Sequence, residues 1–338
     1  MRGKTNMPAI TPQTNASLED IVSKLRAGDD FVITGHVSPD GDCLGSQLAL
    51  AHTLRQMGKR AVCVLAKDDP LDRPFSLLPG ASDMVPAALY EGACGVFVAV
   101  DVPTVERIGD AARLLERAGL SITVDHHAVD TTMTDLVHVE PAAPATALMV
   151  WEMCLQLVGR PTSEAALCAY AGLATDTGCF QFQNADASAF SGALSMVEHG
   201  ADPALVAREF FQYRTLASMR LEALAIERAV FSCEGRCVVS FVSAADMERL
   251  GAVKADTEPL VDALRKIAGV EVAVMLREQD GSVRGSARAK DAADVSVLAR
   301  GFGGGGHTAA AGFTVEDTLE GALDQVLARI DALYGASA

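Results

Sequence analysis

The chain has 338 residues, 49% hydrophobic and 21% charged, with 44 acidic against 28 basic side chains and a formal charge of −16. That length suits one large or two ordinary domains, either with a substantial core. The acidic balance argues against a protein that coats long DNA or RNA, because such binders neutralise many phosphates with Lys and Arg; a short nucleotide held by a metal and a few arginines stays open.

The segment MRGKTNMPAITPQTN lacks the apolar core of a signal peptide, and residues 1–16 read as a disordered polar tail. The next stretch alternates short β-rich runs with helical patterns. FVITG (31–35), AVCVLA (61–66), GVFVAVD (95–101) and SITVDHH (121–127) read as strands. LGSQLALAHTLRQMG and ERIGDAARLLERAG between them read as amphipathic helices, the second closed by Gly119. Near-continuous apolar strands joined by helices predict a parallel sheet covered on both faces, with all C-terminal strand ends along one rim. Residues 145–200 are helical in pattern, and 201–229 read as a helical connector. A hairpin (229–242), two strands (269–278 and 281–290), a helix, a glycine loop, a strand and a terminal helix from about Leu319 follow. Two α/β domains with a helical joint is the expected organisation.

No run of about 18 apolar residues occurs, so no membrane span is expected. Eight cysteines without a CxxC pair read as free thiols in a reducing cytosol, and the chain as cytoplasmic. Cys233 and Cys237 flank an EGR turn and could approach each other across a hairpin. His52, His138 and His199 read as structural, His199 where a cation suits a helix C-terminus.

Chemistry concentrates at the strand ends. GHVSPDGD carries His36, Asp40 and Asp42, although DGD alone is also a good turn. Asp101 closes a strand on the same rim, where it could equally cap a helix. Asp125, His126 and His127 end a third strand. Adjacent histidines in extended chain point to opposite sides, so the two should do different jobs. Asp176 in GLATDTG terminates a helix in a polar turn, where an Asx turn is the plainer reading. Together these residues supply four Asp and two His suited to a paired-metal site. Hard carboxylates with imidazoles favour divalent ions such as Mn²⁺, ahead of Mg²⁺, Co²⁺ or Zn²⁺, and the natural product is hydrolysis of a phosphoester or phosphoanhydride. Further on, Gly303 to Gly306 precede His307 between a helix and a strand, where backbone N–H groups could converge on an anion. Arg288 offers a guanidinium to a phosphate, while Arg284 and Lys290 read as ordinary solvated charges or helpers.

GHVSPDGDCLGS, VAVDVPTVERIG, VDHH and GLATDTG resemble, in order, the four motifs of the DHH phosphoesterases. SARAK followed by GFGGGGHTAAAGF resembles that family's DHHA1 domain, so the resemblance covers nearly the whole chain after the tail. It implies a DHH catalytic domain (17–205), a helical linker (206–225) and a smaller DHHA1 substrate-binding domain (226–338). By the same resemblance, His36, Asp40 and Asp101 hold one Mn²⁺, with Mg²⁺ or Co²⁺ as alternatives. Asp42, Asp101, His126 and Asp176 hold the other, with Asp101 bridging. His127 faces the scissile phosphate, and Arg288, Gly304, Gly305, Gly306 and His307 hold the terminal nucleotide; Asp101, His127 and Arg288 are the implied catalytic set. Relatives often carry Arg-Ser-Lys where this chain has Arg288, Ala289 and Lys290, and Asn-Thr where Asn184 precedes Ala185. Neither departure touches a metal ligand; both bear on substrate preference.

Size and layout resemble the stand-alone branch that degrades short RNA of a few nucleotides to mononucleotides and converts 3′-phosphoadenosine 5′-phosphate (pAp) to AMP. The partners implied are short RNA, mononucleotides or dinucleotides, without long DNA or membrane, and with a homodimer as a candidate assembly. A cyclic or linear dinucleotide phosphodiesterase is the nearest alternative. An inactive nucleotide-sensing module is the alternative from another class, which replacement of a metal ligand would favour; none is replaced.

Overall fold

β-Branched and other apolar residues in the N-terminal half build six strands: β1 (Phe31–Thr34), β2 (Ala61–Leu65), β3 (Val85–Pro86), β4 (Val96–Val100), β5 (Leu120–Asp125) and β6 (Leu136–Val139). In the computed structural model, which describes residues 13–128, 132–279, 281–290, 293–306 and 308–335, they pair in the order β3-β2-β1-β4-β5-β6, every pair parallel. Alternate residues enter two cores. Phe31 and Ile33 pack on one face of the sheet, while Val32, Phe97 and Ala99 pack on the other. The chain works outward from β1 to β3, then returns to place β4 on β1's other side. That reversal falls between β1 and β4, and open α/β sheets hold ligands beyond the C-terminal strand ends at such a point.

Helices α1 (Leu18–Ala27), α2 (Gly41–Gln56), α3 (Thr146–Val158), α4 (Ser163–Asp176) and α5 (Ala187–Glu198) belong to this unit. Ser17 and Asp20 form a capping box on α1, Asp40 caps α2, Thr162 caps α4 and Asp186 caps α5. Helices α2, α3 and α4 meet closely. A Cβ on Gly45 would collide with the Cys168 carbonyl, and one on Gly172 would stand 2.7 Å from the Ala147 methyl and 3.1 Å from Asp42 Oδ1. Trp151 of α3 fills the core beside them, its indole N–H donating to Ser195 Oγ at 3.1 Å.

Two local expectations fail here. Residues 14 to 16 are not part of a disordered tail: Asn15 and Ala16 N–H donate to the Val137 carbonyl, and the Thr14 and Asn15 side chains bond β6, satisfying its open edge. The segment ERIGDAARLLERAG is not one helix. Gly109 adopts φ +52, and the backbone instead bonds outward, Val37 N–H to Arg107 O at 2.8 Å and Asp110 N–H to Ala66 O at 2.9 Å. This ties down the loop that follows β1.

The chain divides into two compact units at Tyr213 and Arg214. The connector is broken, not continuous: a short turn at Pro203–Val206 runs into a π-helical turn at Ala207–Gln212 and leaves helical geometry at Tyr213. Thr215 then caps α6 (Leu216–Glu227). The second unit's strands are β7 (Val230–Ser232), β8 (Cys237–Val242), β9 (Val272–Gln279), β10 (Ser282–Ala289), β11 (Gly305–Gly306) and β12 (Ala310–Val315), ordered β11-β12-β10-β9-β8-β7. Only β8 and β9 pair in parallel. Helices α7 (Leu260–Arg265) and α6 pack on one face, α8 (Val295–Arg300) and α9 (Leu319–Tyr334) on the other. All eight cysteines are free thiols, Cys233 and Cys237 included. Among the described residues no helix is long and apolar enough to cross a membrane.

The Gly45 contact is testable. Gly45→Ala should cost about 1–3 kcal/mol in urea unfolding through overpacking of α2 against α4; an unchanged midpoint would mean that the helices do not meet this closely.

Candidate metal centre

Three strand ends bring acids and imidazoles together. After β1, Gly35 makes room for the Cys43 thiol, and His36 turns inward, only 4% exposed. Asp40 Oδ1 accepts from Cys43 N–H at 3.0 Å to start α2. Two residues on, Asp42 is fully buried and meets the N-terminus of α3. Its Oδ2 accepts from Thr146 N–H and its Oδ1 from Ala147 N–H, both at 2.7 Å. Ala145, at the N-cap, provides no side-chain bond of its own, so Asp42 caps α3 from a distance. Asp42 Oδ1 also accepts from Ser46 Oγ at 3.2 Å, whereas Oδ2 keeps a second lone pair for another partner.

Asp101 follows β4 with φ +56, a left-handed conformation that Asp tolerates better than most residues. Its N–H bonds Val124 O at 3.0 Å, and the turn drives the carboxylate into the interior, 1% exposed. The two oxygens face different partners. Oδ2 lies 3.5 Å from His36 Nε2; Oδ1 lies 3.5 Å from His126 Nε2, 3.6 Å from His127 Nδ1 and 3.2 Å from Thr146 Oγ1.

Strand β5 ends at Asp125, and the side chains of His126 and His127 do not point to opposite sides. Their rings stand edge to face at 5.1 Å, both beside Asp101. Their second nitrogens separate them. His126 donates Nδ1–H to the Ala143 carbonyl at 3.2 Å, which aims Nε2 at Asp176 Oδ2 (3.2 Å), Asp101 and Asp42 Oδ2 (3.9 Å). His127 Nδ1 instead bonds Asp125 Oδ1 at 2.7 Å. Asp176 comes from the last residue of α4. Five of the six residues expected as ligands therefore converge tightly, and Asp40 lies 3.7 Å from His36 at the exposed rim.

Asp125, Thr146 and Ala143 complete the arrangement, and sequence reasoning gave none of them a role. The signal available for Asp125 was its position directly before the two histidines. Cys43 sits within reach of His36 and Asp101, yet burial, with the Asp101 and Asp40 charges, raises its thiol well above the usual range and keeps it protonated. It accepts from His36 N–H and packs behind the loop.

Four carboxylates, three of them largely withdrawn from water, face three imidazoles. Burial, reinforced by Asp176 and Asp40, pushes Asp42 up to about 7. Burial and the charges of Asp42 and Asp40 raise Asp101 well above the carboxylate range. For His126 burial disfavours the imidazolium, but the Asp176 hydrogen bond and the charges of Asp42, Asp176 and Asp101 outweigh it and raise the group well above its ordinary value. Asp40 goes the other way: its side chain reaches the surface, and although the protein packed around it opposes its charge, the hydrogen bond and charge of His36 outweigh that and hold it down at about 2. Such a cluster wants a cation. Donors each about 2.1 Å from one ion, at roughly 90–110°, lie about 3.0–3.4 Å apart, and the 3.2–3.5 Å separations around His126 and Asp101 are close to that edge. The oxygen-rich set with imidazole suits a divalent cation, and the His126 tautomer is the one a metal ligand needs.

In the second unit, Arg288 lies half-exposed on β10. The glycine run does not form a nest of unpaired N–H groups. Gly303 and Gly304 N–H close the end of α8 on Arg300 O and Ala299 O, and Gly305 and Gly306 pair with β12. Glycine is needed at 304 because a Cβ would meet the Gly312 carbonyl and Phe313. His307 lies outside the described residues.

Residues 30–173 match the model of the DHH family N-terminal domain, and residues 234–336 match the DHHA1 domain. The bifunctional oligoribonuclease and PAP phosphatase NrnA of Thermus thermophilus is 29% identical over 90% of both chains. The protein of the same name from Bacillus subtilis is 27% identical over 93% of this chain and 97% of its own. An exopolyphosphatase-related protein from Bacteroides fragilis shares the fold, with a TM-score of 0.89 at 22% identity over 98% of this chain and 100% of that one.

The electrostatics set an unusual pH dependence for the metal-free protein. Where a folded pKa is raised, stability is fully present below the unfolded value and is lost as pH rises through the folded one, about 7 for Asp42. Asp101 and His126 act in the same direction. With chelator present, the protein should melt roughly 5 °C higher at pH 5 than at pH 8, and Asp101→Asn should shrink that gap. Added divalent cation should raise Tm more at pH 8 than at pH 5, since protons compete for the same donors. A gap that is absent, or unchanged by the substitution, would contradict the described crowding.

Proposed function

We propose that this protein, which belongs to the DHH family of phosphoesterases and carries the DHHA1 domain, hydrolyses short RNA to mononucleotides and pAp to AMP with two divalent cations, Mn²⁺ first among them. One observation carries the reading: Asp101 directs its two buried oxygens to different imidazole groups, the disposition of a carboxylate shared by two cations. The match to two NrnA proteins over nearly their whole lengths supports the choice of substrates.

In this reading His36, Asp40 and Asp101 hold one cation, and Asp42, Asp101, His126 and Asp176 hold the other. The bound pair supplies a water acidic enough to attack phosphorus at neutral pH and positive charge for the phosphoryl oxygens. The chain's own residues orient and complement that chemistry. Ala143 fixes the His126 ring, and Thr146 fixes the Asp101 carboxylate. Asp125 holds His127 by Nδ1, turning the opposite edge of the ring to the phosphoryl oxygens, where charge develops. Water would bond to phosphorus as the P–O bond to the leaving ribose oxygen breaks, and the proton the water loses is balanced by one taken up by that oxygen. In the second unit Arg288 would hold the terminal phosphate as a guanidinium fork, with the exposed Gly305–Gly306 backbone beside the nucleotide.

Incubated with Mn²⁺, the protein should release mononucleotides from a short RNA and AMP from pAp, and Asp101→Asn should reduce both rates by about 10³-fold or more. Preferential opening of cyclic di-AMP would overturn the substrate assignment, and undiminished rates in Asp101→Asn would overturn the centre. Asp125→Asn should lower kcat by about 10–100-fold while retaining the cation-induced rise in Tm, because it acts through His127 and not on a cation ligand. Loss of that rise would instead place Asp125 in the metal site.

A further inference from the structure

Strands β9, β10 and β12 set their residues in registered rows. Arg277, Arg284 and Thr314 form one row; Ala273, Arg288 and Ala310 form another, four residues along β10. Between them lie Ser286 and Gly312. The reverse face of β10 and β12 is buried under α8 and α9. On the arginine face, α6 and α7 pack over β8 and β9, but Arg284 is exposed and Ser286, Arg288, Gly312 and Thr314 are half-exposed. The outcome is a shallow shelf with an arginine position at each end and a floor of small side chains.

Their register sets Arg277 and Arg284 apart from ordinary solvated charges. Arg277 and Arg284 stand directly opposite each other, an arrangement of like charges that costs stability. Neither they nor Arg288 form an ion pair among the described residues. Their guanidinium groups bond only neutral oxygens: Gln279 Oε1 at 3.5 Å, Thr314 Oγ1 at 3.4 Å and Ala287 O at 3.1 Å. In the same unit Arg228 and Arg249 both pair with Asp246 and Arg236 pairs with Glu271, while Arg220, Arg300 and Arg329 also lack an ion pair among the described residues; what is particular to Arg277 and Arg284 is that two unpaired guanidiniums share one row. The Arg284 guanidinium lies across the neighbouring strand at Gly312, its Nη2 2.5 Å from where a Cβ would stand there.

Two unpaired guanidiniums side by side, in a chain whose net charge is −16, make a local site for an oxyanion. Four strand residues separate Arg284 from Arg288 by about 13 Å. That backbone spacing exceeds the separation of two phosphates on one nucleotide, which leaves room for the two positions to address different nucleotides. We infer that Arg277 and Arg284 form a second phosphate-binding position for RNA, engaged by a phosphodiester beyond the nucleotide held at Arg288. It favours oligonucleotides over pAp, which has no group that far from its terminal phosphate. The inference rests on the role given above to Arg288 and on RNA as substrate.

The test uses the full chain with Mn²⁺ and the double variant Arg277→Ala/Arg284→Ala. The expected result is an RNA pentanucleotide KM raised about 10-fold, with kcat and turnover of pAp within about twofold. Arg249→Ala, which removes an exposed arginine already paired with Asp246, is the charge control and should leave the pentanucleotide KM unchanged. A second readout does not need turnover. In an Asp101→Asn background, binding of a fluorescein-labelled adenylate pentanucleotide is titrated across salt. The slope of log K against log salt should fall by about 0.7 for each arginine removed. An unchanged KM and slope would overturn the shelf, and so would equal losses on pAp and RNA. If the parent protein turns over no RNA, the substrate reading fails by itself, while the salt slope still decides whether the arginines hold a phosphodiester chain.

Discussion

The arrangement depends on one electrostatic constraint: Asp42 and Asp101 are buried carboxylates facing each other across a space that holds only imidazole as counter-charge. Burying a charge is costly unless something pairs with it, and here the acids outnumber the cations. The fold meets part of that cost with backbone. Asp42 accepts two N–H bonds from the first turn of α3, and Asp101 takes a left-handed backbone that lets it reach between the histidines. What remains is a deficit that a divalent cation would offset. The parallel sheet makes this affordable in geometry, because its switch point gathers the ends of β1, β4 and β5 without any long loop.

Several residues do two jobs, which limits how the site can vary. Asp42 is both a cap for a helix that lacks its own and a partner of His126. Thr146 donates its N–H to Asp42 and its hydroxyl to Asp101, tying two acids to one helix start. Gly172 is small because α3 and the Asp42 carboxylate crowd it. A change in packing between α2, α3 and α4 is thus also a change in where the acids stand.

How much of this was legible follows from how local each feature is. The strands were, since β1 and β4 are almost wholly apolar, β5 carries Leu120, Ile122 and Val124 on one face, and all three lead into acids or imidazoles that have no place in a core. The convergence of His36, Asp101 and His126 was legible for the same reason, whereas Asp176 showed only as an acid in the polar turn that ends a helix. The work of Asp125, Thr146 and Ala143 was not: each acts through a tertiary contact whose partner is unrelated in sequence pattern. The segment at residues 105–115 reads as an amphipathic helix, but bonds to Ala66 and Val37 outweigh its propensity and Gly109 permits the kink. The adjacent histidines misled because period-two alternation holds only inside a strand, and β5 stops one residue earlier. The four glycines read as an anion loop; their first use is to end α8 and to let β11 lie against β12.

Net acidity and phosphate recognition are reconciled by distance. Screening over about 8–10 Å at ordinary ionic strength makes the total charge of the chain a weak guide to any one site. What a phosphate meets is the nearest guanidinium or cation, while a long polyanion would also meet the acidic remainder of the surface. An acidic protein with a few unpaired arginines is therefore suited to short substrates for a physical reason: affinity comes from two or three local contacts, and each added nucleotide beyond them adds repulsion without adding a partner.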